Sequence, residues 1–97
     1  ETERAEYRLA MTWLQAGDPA RAREHARQCL AIVQANDGPP LERFFGHEAL
    51  ALAERACGDA AGAAAATARA REAFDALDEA DRGWCRPTLD KLPTAAA

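Results

Sequence analysis

Three cysteines, Cys29, Cys57 and Cys85, and two histidines, His25 and His47, are the side chains in this 97-residue chain best suited to covalent or metal chemistry. Their spacing argues against both. No two cysteines form a CxxC pair, and the odd number leaves one over, which speaks against a disulfide framework. The cysteines recur every 28 residues, but each falls at a different place relative to the turns, so the regularity is coincidental. The histidines lie in different segments without cysteine or carboxylate company at ligand spacing, so no metal site is expected. Buried free thiols packing as small hydrophobes in a reducing cytoplasm is the reading that remains. Cys57 stands just before a helix start, where a thiol is mildly activated; alone at a turn, it reads as packing. There is no serine, and no glycine-rich loop precedes a helix as a phosphate cradle would require. No catalytic residue, metal or cofactor is expected, and the chain reads as a non-enzyme.

Charge carries the remaining chemistry. Net charge is −4 and the sequence pI is near 5.1, which disfavours nucleic acid as a partner. Arg21, Arg23 and Arg27 cluster with Glu24 and Gln28. The cluster has the makings of an anion site, but a solvated helix face, neutralised by Glu24, Glu3 and Glu6, is the expectation. The acidic residues in general are expected on polar, solvated faces. No stretch approaches the ~20 apolar residues of a membrane span, and no signal-like segment opens the chain. The chain begins at Glu1 rather than Met, which points to a piece of a longer protein or a trimmed tag.

The elements that must position these groups are helices. About a quarter of the residues are alanine, the best helix former, while there is one Val and one Ile. The composition therefore predicts an all-α fold. A chain this short buries only about 60–65% of its unfolded surface, so the core must be thin.

Two Gly-Asp dipeptides, Gly17-Asp18 and Gly58-Asp59, divide the chain at a spacing of 41 residues. In each, glycine accepts the left-handed conformation that ends a helix and aspartate caps the next. A first helix over 2–16 puts Ala5, Leu9 and Trp13 on one stripe beside Ala10 and Leu14, with Thr2 or an upstream residue as cap. A second over 19–34 opens on Pro19 and carries Ala22, Ala26, Cys29, Leu30 and Val33. Asn36-Asp37-Gly38-Pro39-Pro40 is a break, with Asn or Gly ending the second helix. A third helix over 40–57 shows Leu41, Phe45, Ala49, Leu52 and Ala56 on one face, widened by Phe44 and Leu50. Adjacent phenylalanines cannot share one neighbour, so one meets a second chain, a ligand or the C-terminal segment. Gly46, unfavourable in a helix by about 1 kcal/mol relative to Ala, marks a close helix crossing. A fourth helix over 60–77 offers Ala63, Ala66, Ala70, Ala73, Phe74 and Leu77, its alanine-only first turns being the weakest part of the core. In 78–92, Asp81 is expected to cap a short turn containing Trp84, and Pro87 to break or restart it. The whole reads as a single domain over 1–92, with hairpins 2–35 and 40–77, a capping segment 78–92 and a disordered tail over 93–97.

The run LAMTWLQAGDPARAREHARQCLAI resembles a tetratricopeptide repeat, a helix–turn–helix of about 34 residues, through Leu9, Ala10, Trp13, Gly17, Asp18, Ala22, Cys29 and Leu30. The second copy matches at Leu50, Ala51, Gly58, Asp59, Ala63 and Ala70, but has Glu54 in place of the aromatic and Arg71 in place of the leucine. The resemblance implies a TPR-like α-α superhelix of two hairpins plus a short capping helix. It also implies a scaffold that binds a protein or peptide along the concave surface of the first helices. On this chain that surface presents Arg4, Tyr7, Arg8, Met11, Phe45, Glu48, Leu52 and Arg55. The Lys and Asn clamp that grips a terminal carboxylate in the chaperone-binding branch is absent.

The function expected is a non-enzymatic interaction module for a protein or peptide segment, cytoplasmic, with no nucleic acid and no membrane as partner. Two alternatives stand beside it. One is a self-associating homodimeric unit using Phe44 or Phe45, Trp84 and the alanine-rich face, because stacked hairpins usually need three or more repeats. The other is a peptide-sensing regulatory domain of a longer protein. Tyr7, Met11 and Phe45 also admit the plainer reading that they cover core or a dimer partner.

Overall fold

The computed structural model describes residues 2–94, without the side chain of Thr2. The protein is all-α: α1 (Thr2–Gln15), α2 (Pro19–Ala35), α3 (Pro40–Ala56), α4 (Ala60–Asp75) and α5 (Glu79–Asp90), with no strand among the described residues. None of these helices is long and apolar enough to cross a membrane. The expected cap at Thr2 and residues 95–97 of the expected disordered tail lie outside the described residues.

Backbone chemistry at the turns explains the punctuation. Gly17 and Gly58 both have positive φ, +81° and +86°. Each closes its helix with the same bond pair: Gly17 N–H to Leu14 O and Asp18 N–H to Trp13 O, then Gly58 N–H to Arg55 O and Asp59 N–H to Glu54 O. These satisfy carbonyls that the helix end would otherwise leave open. The aspartates then start the next helices, Asp18 accepting from the Arg21 N–H at 3.1 Å and Asp59 from the Gly62 N–H at 2.8 Å. A third turn uses the same bonding with a different residue. Asn36 is the C-cap of α2, but the left-handed position is Asp37, with φ +50°, and Gly38 N–H closes on Val33 O at 2.8 Å.

α1 packs on α2, α2 on α3, and α3 on α4, while α1 also touches α3 and α5 lies against α4. The result is a slab with extents of 36 × 34 × 20 Å. Its first core is small: Ala10, Ala26 and Ala49, one from each of three helices, with Tyr7, Met11 and Leu50 against them. Its second holds the bulk, joining Phe44, Phe74, Leu77, Cys85, Leu89 and Leu92 from α3, α4 and the C-terminal segment. Gly46 is the crossing point of α2 and α3, since a Cβ there would stand 2.7 Å from Leu30 Cδ2.

The buried stripes of α2 and α4 are as their spacing predicts, with Thr67 an addition to the latter. Other expectations are corrected. Ala5 is exposed and Leu9 is 41% exposed, while Ala10 is fully buried and Tyr7 and Met11 pack inward; α1 turns its Tyr7–Ala10–Met11 side, rather than its Leu9–Trp13 stripe, to α2 and α3. Trp13 instead receives the Arg21 guanidinium 4.6 Å over its ring. Ala56 is exposed. Glu48 and Glu54 are buried in α3 rather than solvated. Pro87 does not break α5, and the cap is Asp78, not Asp81: its carboxylate accepts from the Asp81 N–H at 2.8 Å. The helix survives because the missing N–H falls opposite Gly83, an exposed residue whose carbonyl water can serve. The adjacent phenylalanines take different outer neighbours, and the one in the core is Phe44 rather than Phe45. Phe44 is fully buried against Phe74, ring centroids 6.3 Å apart, and Phe45 turns to Tyr7 at 5.8 Å.

Two of the glycines inside helices, Gly46 and Gly83, should therefore respond in opposite directions. Gly46→Val, forced onto Leu30, is expected to lower unfolding free energy by about 1–3 kcal/mol. Gly83→Ala, where a Cβ meets nothing within 4 Å, is expected to raise it by about 0.5–1 kcal/mol through helix propensity. Urea melts of the two variants check both signs.

Candidate functional site: the cleft between α1 and α3

The parallel placement of α1 and α3 leaves a cleft of about 310 Å³ between them, lined by Glu3, Arg4, Tyr7, Arg8, Cys29, Leu41, Glu42 and Phe45. Helix periodicity sets the lining. Tyr7 and Arg4 or Arg8 lie three or one positions apart on α1, and Leu41 and Phe45 stand one turn apart on α3. Tyr7, Leu41, Phe45 and Cys29 supply the apolar surface, and Glu3, Arg4, Arg8 and Glu42 supply charge of both signs.

Of the residues expected on a binding face, Arg4, Tyr7, Arg8 and Phe45 converge here. Met11 is one turn too far along α1 and packs on the Ala10–Ala26–Ala49 cluster. Leu52 packs against the larger core, and Arg55 is exposed near the end of α3, away from the cleft. Glu48, expected to face outward, is closed over. The cleft also uses residues that the sequence did not place on the binding face. Leu41 was legible as the residue four before Phe45; Cys29 was not, because it reaches the cleft from α2.

Beneath the cleft, the Tyr7 hydroxyl donates to Glu48 Oε1 at 2.9 Å. Burial raises the Glu48 carboxyl above its ordinary value, an effect the Tyr7 bond only partly offsets. Burial, with the adjacent Glu48 carboxylate, likewise holds the Tyr7 phenol well above its usual range. The two groups are thus directed at each other, and their bond ties α1 to α3. Burial pushes the Cys29 thiol up to about 11, with the Glu3, Glu6 and Glu42 carboxylates adding to it. At neutral pH it is a protonated, weakly polar wall rather than a nucleophile.

The arginine cluster of α2 is neutralised differently from the expectation. Arg23 and Arg27 reach across to Glu54 of α3, at 3.2 and 3.4 Å, and Glu6 accepts His25 Nδ1 at 2.6 Å. Of the three acids expected to balance the cluster, Glu24 meets only Gln28, at 3.3 Å. All three cysteines are free thiols, and no group of three His, Cys, Asp or Glu side chains among the described residues is arranged to hold a metal ion. No family model, curated protein or solved structure matches this chain.

The Tyr7–Glu48 pair yields a pH-dependent outcome. Between the ordinary carboxyl value of 4.5 and the raised folded value, the folded protein holds a proton that the unfolded chain has released. Stability from this site therefore falls as pH rises through that window. Glu48→Gln keeps an acceptor for Tyr7 and removes the charge, so it is expected to be more stable than the parent at pH 7, with the difference closing below about pH 4.5. Tyr7→Phe strips the carboxylate of its donor and is expected to cost about 1–2 kcal/mol at pH 7. Urea melts from about pH 4 to about pH 7.5 read both.

Proposed function

We propose that this chain is a non-enzymatic, tetratricopeptide-like interaction module that takes a peptide or protein segment into the cleft between α1 and α3. The observation that carries the reading is the cleft itself, an apolar floor of Tyr7, Leu41 and Phe45 bordered by Arg4, Arg8, Glu3 and Glu42. Its volume of about 310 Å³ sits at the small end of ligand sites, enough for one or two side chains of a longer partner. The partner that fits is a segment with an apolar anchor flanked by charges of both signs. The repeated Gly-Asp hairpins support the resemblance, and the free cysteines favour a reducing, cytoplasmic setting.

Panning a displayed dodecapeptide library on the folded domain tests this. Enrichment of sequences with an apolar anchor is expected, with amide shifts confined to Arg4, Tyr7, Arg8, Leu41 and Phe45, and Phe45→Ala is expected to weaken the selected peptide by tenfold or more (about 1.4 kcal/mol). Enrichment no greater than on unfolded bait, or a footprint elsewhere, defeats the reading.

Self-association is a second reading, favoured by Trp84, which is 77% exposed. Phe44 is fully buried and not available to it. A dimer built on Trp84 is expected to dissociate in Trp84→Ala, and light scattering that finds a monomer at tens of micromolar removes the idea.

A further inference from the structure

On the other side of α3, a second cleft is lined by Arg43, His47, Arg69, Glu72 and Ala73. Residues 43 and 47 stand about 160–200° around the helix from Phe45 at 100° per residue, so this cleft is separate from the α1–α3 one. Arg43 and His47 come from α3, and Arg69, Glu72 and Ala73 from α4.

Three nitrogen-bearing side chains here face one carboxylate. That carboxylate, Glu72, is engaged by Arg69 alone, through Nε at 3.1 Å and Nη2 at 2.9 Å. This holds the Arg69 guanidinium plane and leaves its remaining N–H groups open. Arg43 gives one N–H to the Gly38 carbonyl, which fixes its position, and keeps its other donors. His47 Nδ1 is enclosed and meets no hydrogen-bonding partner among the described residues. The tautomer protonated on Nε2 leaves only a lone pair unpaired at Nδ1 and makes the other edge of the ring a donor. The site therefore combines a net positive charge with donors from two helices, in a protein whose net charge is −4.

We propose that Arg43, His47 and Arg69 form a binding site for a phosphate monoester, with Glu72 as the brace that orients Arg69. A cleft of about 230 Å³ is below the roughly 300 Å³ at which whole small-molecule sites begin, so it takes the charged group rather than a complete ligand. A tetrahedral dianion offers three oxygens to donors arriving from two helices, and arginine forks are the preferred partners of such oxygens. His47 is held toward its neutral form, mainly by burial and then by the Arg69 charge, with Arg43 acting in the same direction and Glu72 against it. A bound dianion reverses that balance and favours the imidazolium.

NMR titrations with inorganic phosphate and with O-phosphoserine, at ionic strength fixed by sodium chloride, test the site. Both are expected to give saturable shifts at Arg43, His47, Arg69 and Glu72, and to move the His47 titration midpoint upward. Arg69 is largely exposed, so Arg69→Gln should leave the fold intact while weakening O-phosphoserine tenfold or more. Arg43→Lys, which keeps the charge but loses the fork, should weaken it less. Shifts that never saturate, a footprint on other residues, or equal affinity in Arg69→Gln would overturn the site. Binding of inorganic phosphate without O-phosphoserine would overturn the monoester assignment.

Discussion

A carboxylate taken almost out of water, Glu54, is held from the neighbouring hairpin by Arg23 and Arg27, and the arrangement of the chain depends on that junction. An unpaired buried carboxylate costs several kcal/mol, so α2 cannot slide or rotate on α3 without leaving Glu54 unpaired. The arginines remain 33% and 57% exposed, so most of the desolvation falls on Glu54 alone. Nearer the start of α3, Gly46 admits Leu30 where a Cβ would collide. One contact is polar and demands a partner; the other is steric and demands an absence. Two such points about two helical turns apart fix the register of the hairpins more firmly than apolar contact, which is non-directional.

That register makes α3 the central helix, packed by α1, α2 and α4. Alanine makes the approach of α1, α2 and α3 possible, through Ala10, Ala26 and Ala49, but alanine buries little area at about 25 cal/mol per Å². The large apolar residues are displaced to the far side, where Phe44 and Phe74 meet Leu77, Leu89 and Leu92. The C-terminal helix is thus part of the principal core. Its Trp84 stays outside while Cys85, the next residue, is buried, because one step around a helix turns a side chain by about 100°.

The legible parts of the sequence were those whose physics is local. A Gly-Asp turn closes one helix and caps the next within five residues, so its bonds do not depend on the rest of the fold. The stripe of α2 was readable because its other face is charged and admits no second choice. Beside the Ala5–Leu9–Trp13 stripe the first helix carries Tyr7, Ala10 and Met11, and only the packing of α2 and α3 against it decides between the two sides. Glu48 and Glu54 were illegible as buried residues because their partners, Tyr7 and Arg23 with Arg27, lie 41, 31 and 27 positions away. Pro87 misled because a helix-breaker rule describes an interior bond, and here that bond lies on an exposed side. Of the candidate site, Arg4, Tyr7, Arg8 and Phe45 were found together since they need only that first helices be neighbours. Met11 and Leu52, further along the same helices, pass into the packed region, where α1 and α3 leave no gap.

The sides of α3 therefore differ in their occupants. Gly46 and Glu54 meet α2, Phe45 faces the aromatic cleft shared with α1, and α4 closes both the phenylalanine core and the cationic cleft. Tyr7, Phe45, Phe44 and Phe74 form a chain of rings, with neighbouring centroids 5.8, 5.4 and 6.3 Å apart, running from the cleft through α3 into the core. Phe45 and His47 are two residues apart and on nearly opposite sides of the same helix. Because close-packed interiors shift by discrete repacking rather than by smooth deformation, a helix held at both Gly46 and Glu54 presents its two clefts at a fixed separation. Glu54 puts directional pairing where an apolar side chain would have supplied area, and in a core made largely of alanine that pairing holds the hairpins in one arrangement.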